Sequence, residues 1–282
     1  MSANHAAFNL IFRFVENYIS PVAGRISSQR HVMAIRDGFI SAMPFMIVGS
    51  FLLVFAYPPF SPDTTWGFAR AWLDLAKEFE GRILTPFDMT MGIMSIYICA
   101  AISYNLGKHY EKTNQLDPFM CSMLSIMAFL LVAAPKTSGH MPVDSLGGTG
   151  IFTAILVAVY CVELMRFLKV RNIGIRLPDQ VPPMIKNSFD LLIPVLVVVL
   201  TLYPLSLFIQ SQFDMLIPQA IMSLFKPLVS AADSLPAILL AVLIGHLLWF
   251  AGIHGAAIVS GMLQMFWLTN LGLNQTALAQ GM

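Results

Sequence analysis

Apolar runs long enough to cross a lipid bilayer recur along this chain, and few folds can accommodate them. About 30 Å of hydrocarbon takes roughly 20 helical residues to cross. Such runs lie near residues 33–57, 86–106, 118–135, 150–168 and 189–210. A sixth apolar region, about 235–270, is too long for one simple span, and glycines interrupt it. Charged residues are only 11% of the 282, against 57% hydrophobic. A soluble domain carries about 25% charged residues to solvate its surface. In lipid every backbone polar group must be paired internally, so the spans must be helices or a closed barrel. Runs of this length read as helices. The sequence therefore predicts an all-α, polytopic membrane protein. It has about five to six transmembrane helices, interfacial helices and a possible re-entrant hairpin within 235–270.

Two segments have the pattern of helices lying on the membrane surface. In 7–19, Phe8, Ile11, Phe12, Val15 and Ile19 fall at helical spacing. In 64–80, Trp66, Trp72, Leu75 and Phe79 alternate with Arg70, Asp74, Lys77 and Glu78. Both patterns fit either an interfacial helix or a short helix covering span ends. A third segment, 213–229, is weaker because Pro218 and Pro227 interrupt it. The final stretch, TNLGLNQTALAQGM, reads as a loop. No signal peptide is legible at the N-terminus.

Basic residues concentrate in the cytoplasmic loops of membrane proteins. Arg13, Arg25, Arg30 and Arg36 precede the first run. Lys108 and Lys112 follow the second, and Arg166, Lys169, Arg171, Arg176 and Lys186 follow the fourth. On alternate sides the count is 11 against 5. The expected orientation has a cytoplasmic N-terminus and a sizeable cytoplasmic loop over 170–188. Net charge is +1, which gives no global basicity to suggest nucleic acid.

The residues that could carry chemistry cluster in Leu247–Gly261, LLWFAGIHGAAIVSG. His254 and Trp249 are polar aromatics in an apolar stretch broken by Gly252, Gly255 and Gly261. An imidazole at membrane depth is costly unless protein or water faces it. Broken helices at that depth occur where backbone lines a cavity. Trp249 can stack its face on the apolar C–H groups of a sugar ring. His254 is either a ligand for a polar solute or a histidine satisfied by a neighbouring helix. His246 is a second candidate. Glu163, near the end of the fourth run, reads as a snorkelling pair with Arg166 three residues on.

The turn Ser138–Gly150, SGHMPVDSLGGTG, can offer backbone amides near a helix start, or be an ordinary turn between spans. Pro178, Pro182 and Pro183 forbid a regular helix over 176–188. That stretch is a structured loop, a gate or a partner contact. Cys99, Cys121 and Cys161 lie in apolar runs with no ligand spacing, as buried small hydrophobes do. No metal, cofactor or catalytic motif is present in the sequence.

Four stretches carry a family resemblance. They are HVMAIRDGFISAMPFMIVGS at 31–50, GIMS at 92–95, IRLPDQVPPMIKNSFDLLIP at 175–194 and LLWFAGIHG at 247–255. In this order the sequence resembles the lactose/cellobiose/diacetylchitobiose EIIC permeases of the bacterial phosphotransferase system. The resemblance implies a homodimeric helical permease in the bacterial inner membrane. It would carry a β-linked disaccharide inward while a partner, EIIB, phosphorylates the sugar from a phosphocysteine supplied through EIIA. It implies that His254 hydrogen-bonds the sugar and Trp249 stacks on it. Gly148 and Thr149, in the Leu146–Gly150 turn, would add polar contacts. No phosphorylated residue and no cofactor are implied in this chain. By the same resemblance residues 1–282 are the N-terminal part of an EIIC membrane domain. Residues 1–232 are mainly scaffold and dimerisation spans, and 233–270 begin the sugar-binding region. Family members continue past this point to a Glu in an N-E-P type motif beside the sugar, so a truncated product is expected. Two other readings are a secondary transporter coupled to H⁺ or Na⁺, and a non-transporting membrane fragment that only dimerises.

Overall fold

The computed structural model describes residues 28–135, 139–175, 178, 180–182, 185, 189–250 and 255–279, with isolated positions before 28. Nine α-helices make up the described part: α1 Arg30–Ala56, α2 Gly67–Asp88, α3 Met94–Asn114, α4 Pro118–Ala133, α5 Ile151–Val170, α6 Leu192–Phe213, α7 Ile217–Ala232, α8 Leu235–Phe250 and α9 Gly255–Ala279. A short 3₁₀ turn, Gly148–Gly150, leads into α5. The expected interfacial segment 7–19 lies outside the described residues.

α3 is the centre of the bundle and packs on α1, α4 and α5. Its Met94, Ile98, Cys99, Ile102 and Leu106 are fully buried. α1 turns Ala42, Met46, Gly49, Leu53 and Ala56 inward, at alternating steps of four and three. That spacing places one narrow stripe against a neighbour at a shallow crossing angle. Gly38 sets how close the two helices come. A Cβ there would lie 2.8 Å from the backbone nitrogen of Ile102. The opposite face of α1 leaves Ile40, Ile47, Val48, Phe51 and Phe55 exposed. An apolar outer face suits lipid tails, which need no polar covering.

Small polar residues line the helix contacts. Ser95, Ser103, Ser125 and Thr153 are buried. Ser103 donates to the Cys99 carbonyl at 2.7 Å. Cys99, Cys121 and Cys161 are buried free thiols. Such residues let membrane helices approach closely and bond across them.

Among the described residues three helices are long and apolar enough to span: α1, α5 with its leading turn, and α6. α7 and α8 form a pair bent by 71°, a fourth span or a re-entrant segment. α4 has 16 residues, about 24 Å of helix, which falls short of the hydrocarbon thickness. α3 carries Lys108 and Lys112 in its last turns, and its neighbours shield it.

Two expectations need correction, those for 86–106 and for the final stretch, and two helical candidates gain their bounds. The apolar run 86–106 is not one helix. α2 ends at Asp88, a turn follows at 89–93, and α3 begins at Met94. Within that turn Thr90 and Gly92 donate their N–H groups to the Phe87 carbonyl, which stops α2. The interfacial candidate 64–80 is α2, which runs eight residues further. Most of segment 213–229 is helical, as α7: Pro218 stands in the first turn, where no intrahelical N–H bond is lost, and Pro227 is accommodated inside the helix. The final stretch, read as a loop, is helical to Ala279. Its polar residues are bonded: Thr276 donates to the Gly272 carbonyl at 2.9 Å, and Gln275 donates to the Ser50 hydroxyl of α1 at 3.0 Å.

Where α1 meets α2, Phe55, Phe60, Trp66, Phe68 and Trp72 form a cluster with ring centroids 5.5–5.9 Å apart. Trp72 donates its indole N–H to the Phe55 carbonyl at 3.2 Å. Amphipathic rings of this kind collect at membrane–water interfaces. Just past α1, Tyr57 donates to Glu80 at 2.8 Å. Burial, then the Glu80 bond and charge, push the phenol up to about 12.

Candidate functional site

Antiparallel packing of α8 on α9 makes a hairpin. Ala241, Ile244 and Leu248 of α8 cluster with Val259, Leu263 and Trp267 of α9. The numbering falls along one arm as it rises along the other, and a Cβ on Gly245 would lie 3.8 Å from Val259. Residues 251–254, the AGIH of the glycine-broken motif, join the two helices in sequence and lie outside the described residues, His254 among them. Trp249 stands at the end of α8, 55% exposed. His246 hydrogen-bonds through Nδ1 to the Val242 carbonyl, one turn back in its own helix, at 2.7 Å. That bond satisfies one ring nitrogen locally.

The glycine turn before α5 is built from the other direction. Ser95 of α3 donates its hydroxyl to the Gly147 carbonyl at 2.6 Å and its N–H to the Leu146 carbonyl at 2.9 Å. These two bonds fix the turn to the bundle core. Gly148 then packs on α9. A Cβ on it would lie 3.1 Å from backbone atoms of Gly272 and Leu273. Thr149 is half-buried. Gly272 is 17 residues into α9, on the order of 25 Å from its start at 1.5 Å per residue. At that same far end Asn270 donates to the Val229 carbonyl of α7 at 3.1 Å. The structure thus places Trp249 at one end of the hairpin and the Gly148–Thr149 turn beside the other.

Glu163 is more than half of a helix-face pair. Arg166 donates to it at 2.6 Å, as the spacing suggests. Tyr110 of α3 donates at 2.7 Å, and His31 of α1 lies 2.9 Å away through Nε2. The guanidinium of Arg166 stands 5.0 Å from the Tyr110 ring centroid, and that of Arg30 stands 5.5 Å from it. Three helices are joined through one carboxylate. His31 and Tyr110 carried no local signal in the sequence; their partner lies 132 and 53 residues away.

Among the described residues no group of three or more His, Cys, Asp or Glu side chains converges as metal ligands would. Most of the proline-bearing stretch 176–188 lies outside the described residues.

Residues 36–282 match the family model for the phosphotransferase system EIIC component. The chain is 33% identical over 285 residues to a cellobiose-specific EIIC component of Geobacillus stearothermophilus, covering 95% of this chain and 61% of that one. It is 34% identical over 260 residues to a lactose-specific EIICB component of Streptococcus mutans, covering 90% and 44%. Among solved structures it matches the transporter ChbC, the IIC component from the N,N'-diacetylchitobiose-specific phosphotransferase system. That match has a TM-score of 0.82 and 32% identity, and covers 95% of this chain and 64% of that one. The chain thus spans about three fifths of the length of the EIIC relatives it matches. The apolar, lipid-compatible bundle places it in a membrane, and the match over most of its length shows that this chain belongs to the EIIC family of the phosphotransferase system.

Proposed function

We propose that this chain forms the N-terminal part of an EIIC sugar permease that carries a β-linked disaccharide, such as cellobiose or diacetylchitobiose, to a cytoplasmic EIIB partner for phosphorylation. The observation that carries this reading is the α8–α9 hairpin. In sequence the IHG segment links its two arms, and Trp249, 55% exposed, stands at the end of the first arm. A pyranose ring offers an apolar C–H face for an indole and hydroxyls for an imidazole and free backbone groups. Trp249 and His254 are the assigned sugar contacts. Gly148 and Thr149 have a lesser part. They offer polar groups at the opposite end of the hairpin and seat its second arm on the bundle.

In this reading residues 1–232 are the scaffold, through which two copies pair, and 233–270 begin the sugar region. Arg30, Lys108, Lys112, Arg166 and Lys169 all fall at one end of the bundle, where α1 starts and α3 and α5 stop. That end is assigned to the cytoplasm of a bacterium, with the sheet of basic side chains toward the inner leaflet. The sugar binds near mid-membrane, a hairpin-bearing body shifts toward the cytoplasm, and EIIB, charged by EIIA, adds the phosphate. The phosphate's charge opposes return. Family membership favours this group transfer over an ion-coupled transporter.

The experiment completes the chain with the C-terminal segment of the Geobacillus relative, and expresses it in cells that lack endogenous β-glucoside uptake but supply EIIB and EIIA. Phosphoenolpyruvate-dependent accumulation of cellobiose phosphate or diacetylchitobiose phosphate is the expected result. Accumulation of free sugar driven by a proton or sodium gradient would instead favour the ion-coupled reading.

A further inference from the structure

At the basic end of the bundle α3 and α5 both stop at the edge of a cavity of about 590 Å³. This is the size range of small-molecule sites. Its floor is aliphatic, with Met120, Met165, Leu168 and Ile173 among its lining residues. Its charged groups already have partners. Lys169 donates to Asp190 at 2.5 Å. Asp117 accepts the N–H groups of Phe119 and Met120 and so caps α4. A bound ion would have to break one of these arrangements.

The groups left over are carboxamides. Gln115 and Asn172 line the cavity, are exposed, and make no side-chain hydrogen bond among the described residues. Both stand at helix ends in the left-handed region, each with φ of 53°. Gln115 follows α3 directly, and Asn172 is two residues past α5. Glycine takes this conformation without a steric penalty and is the usual helix-stop residue. Here two uncommitted carboxamides hold both positions on one cavity. Each offers a donor and an acceptor. The adjoining helix ends add carbonyl acceptors.

We propose that this cavity binds an uncharged polyhydroxylated molecule through Gln115 and Asn172. Hydroxyls both donate and accept, which matches carboxamides and helix-end carbonyls. The ligand's C–H faces match the aliphatic floor, and its neutrality leaves the Lys169–Asp190 pair and the Asp117 cap intact. The chemistry could come from a free sugar or from the sugar headgroup of a glycolipid. The inference uses no step of the transport reading, and Trp249 is not among the residues that line the cavity.

The test is a calorimetric titration of the purified chain in two arms. One uses free cellobiose, and the other uses nanodiscs containing monoglucosyl diacylglycerol, with phosphatidylcholine nanodiscs as the blank. The variant is Gln115→Gly with Asn172→Gly. It removes both carboxamides at positions where glycine relaxes the backbone, so the fold is retained. Affinity should fall by at least about tenfold, the scale of two lost hydrogen bonds. The same loss should appear when the double variant is compared in a Trp249→Ala background, where the hairpin contact no longer contributes. A fall confined to the cellobiose arm identifies a free sugar as the ligand; a fall confined to the nanodisc arm identifies a headgroup. Heat in neither arm, or binding that the double variant leaves intact, overturns the proposal. Cellobiose binding abolished by Trp249→Ala alone also overturns it and leaves the hairpin site standing.

Discussion

A carboxylate seven residues before the end of an apolar helix must find donors or reach water. Glu163 does the first, through His31, Tyr110 and Arg166. With its side chain 25% exposed, the cost of removing it is set by the donors it leaves behind. Glu163→Ala strands a buried-side phenol and an imidazole on two other helices. The expected loss is about 2 kcal/mol, within the range for orphaned polar groups. Thermal unfolding in detergent measures it, and Glu163→Gln should recover part because an amide oxygen still accepts. Equal stability of all three proteins would show that the cluster contributes nothing. The Arg166 contact could be anticipated from i,i+3 spacing. The other two could not, since helical periodicity carries no information about which distant helix end meets which.

Among the elements, legibility followed apolar continuity. α1, α4, α5 and α6 lie where uninterrupted apolar runs stand, with boundaries shifted by a few residues. The break between α2 and α3 was hidden because Met89, Met91 and Ile93 keep the run apolar through a turn that backbone hydrogen bonds define. The end of α9 was hidden for the opposite reason. Thr269 and Gln275 look like loop residues but are buried by packing against the 148–150 turn and α1. Of the candidate site, the sequence put a break just past Trp249, and α8 ends at Phe250; His254 lies outside the described residues. The separation of the Gly148–Thr149 turn from Trp249 was not legible, because it depends on how the hairpin arms pair. That turn gives a prediction at this scale. Gly148→Ala drives a Cβ against the backbone of Gly272 and Leu273, which cannot move alone. Gly272→Ala meets the Gly148 backbone at 3.1 Å in return, and also the buried end of Met94. Each variant should therefore destabilise by about 1–3 kcal/mol, the cost of overpacking. Chemical denaturation of the two variants measures it. Unchanged stability in both would contradict the packing described for the turn.

For the whole molecule, the bundle joins a firmly packed part to an outlying one. α1, α3, α4 and α5 share one continuous buried core, whereas α8 and the facing side of α9 form a separate small cluster. α9 is anchored to the bundle through α1, α7 and the 148–150 turn, so α8 is the arm with few neighbours outside the hairpin. This division fits a permease in which a sugar-bearing element moves against a scaffold. The central proposal is that Trp249 and His254 contact the sugar. Equilibrium binding of labelled cellobiose tests it most directly, using the chain completed with the C-terminal segment of its Geobacillus relative. The account predicts saturable binding that weakens by at least about tenfold in Trp249→Ala and in His254→Ala, as expected for lost stacking or a lost buried hydrogen bond. Saturable binding with an affinity unchanged in both variants would contradict it.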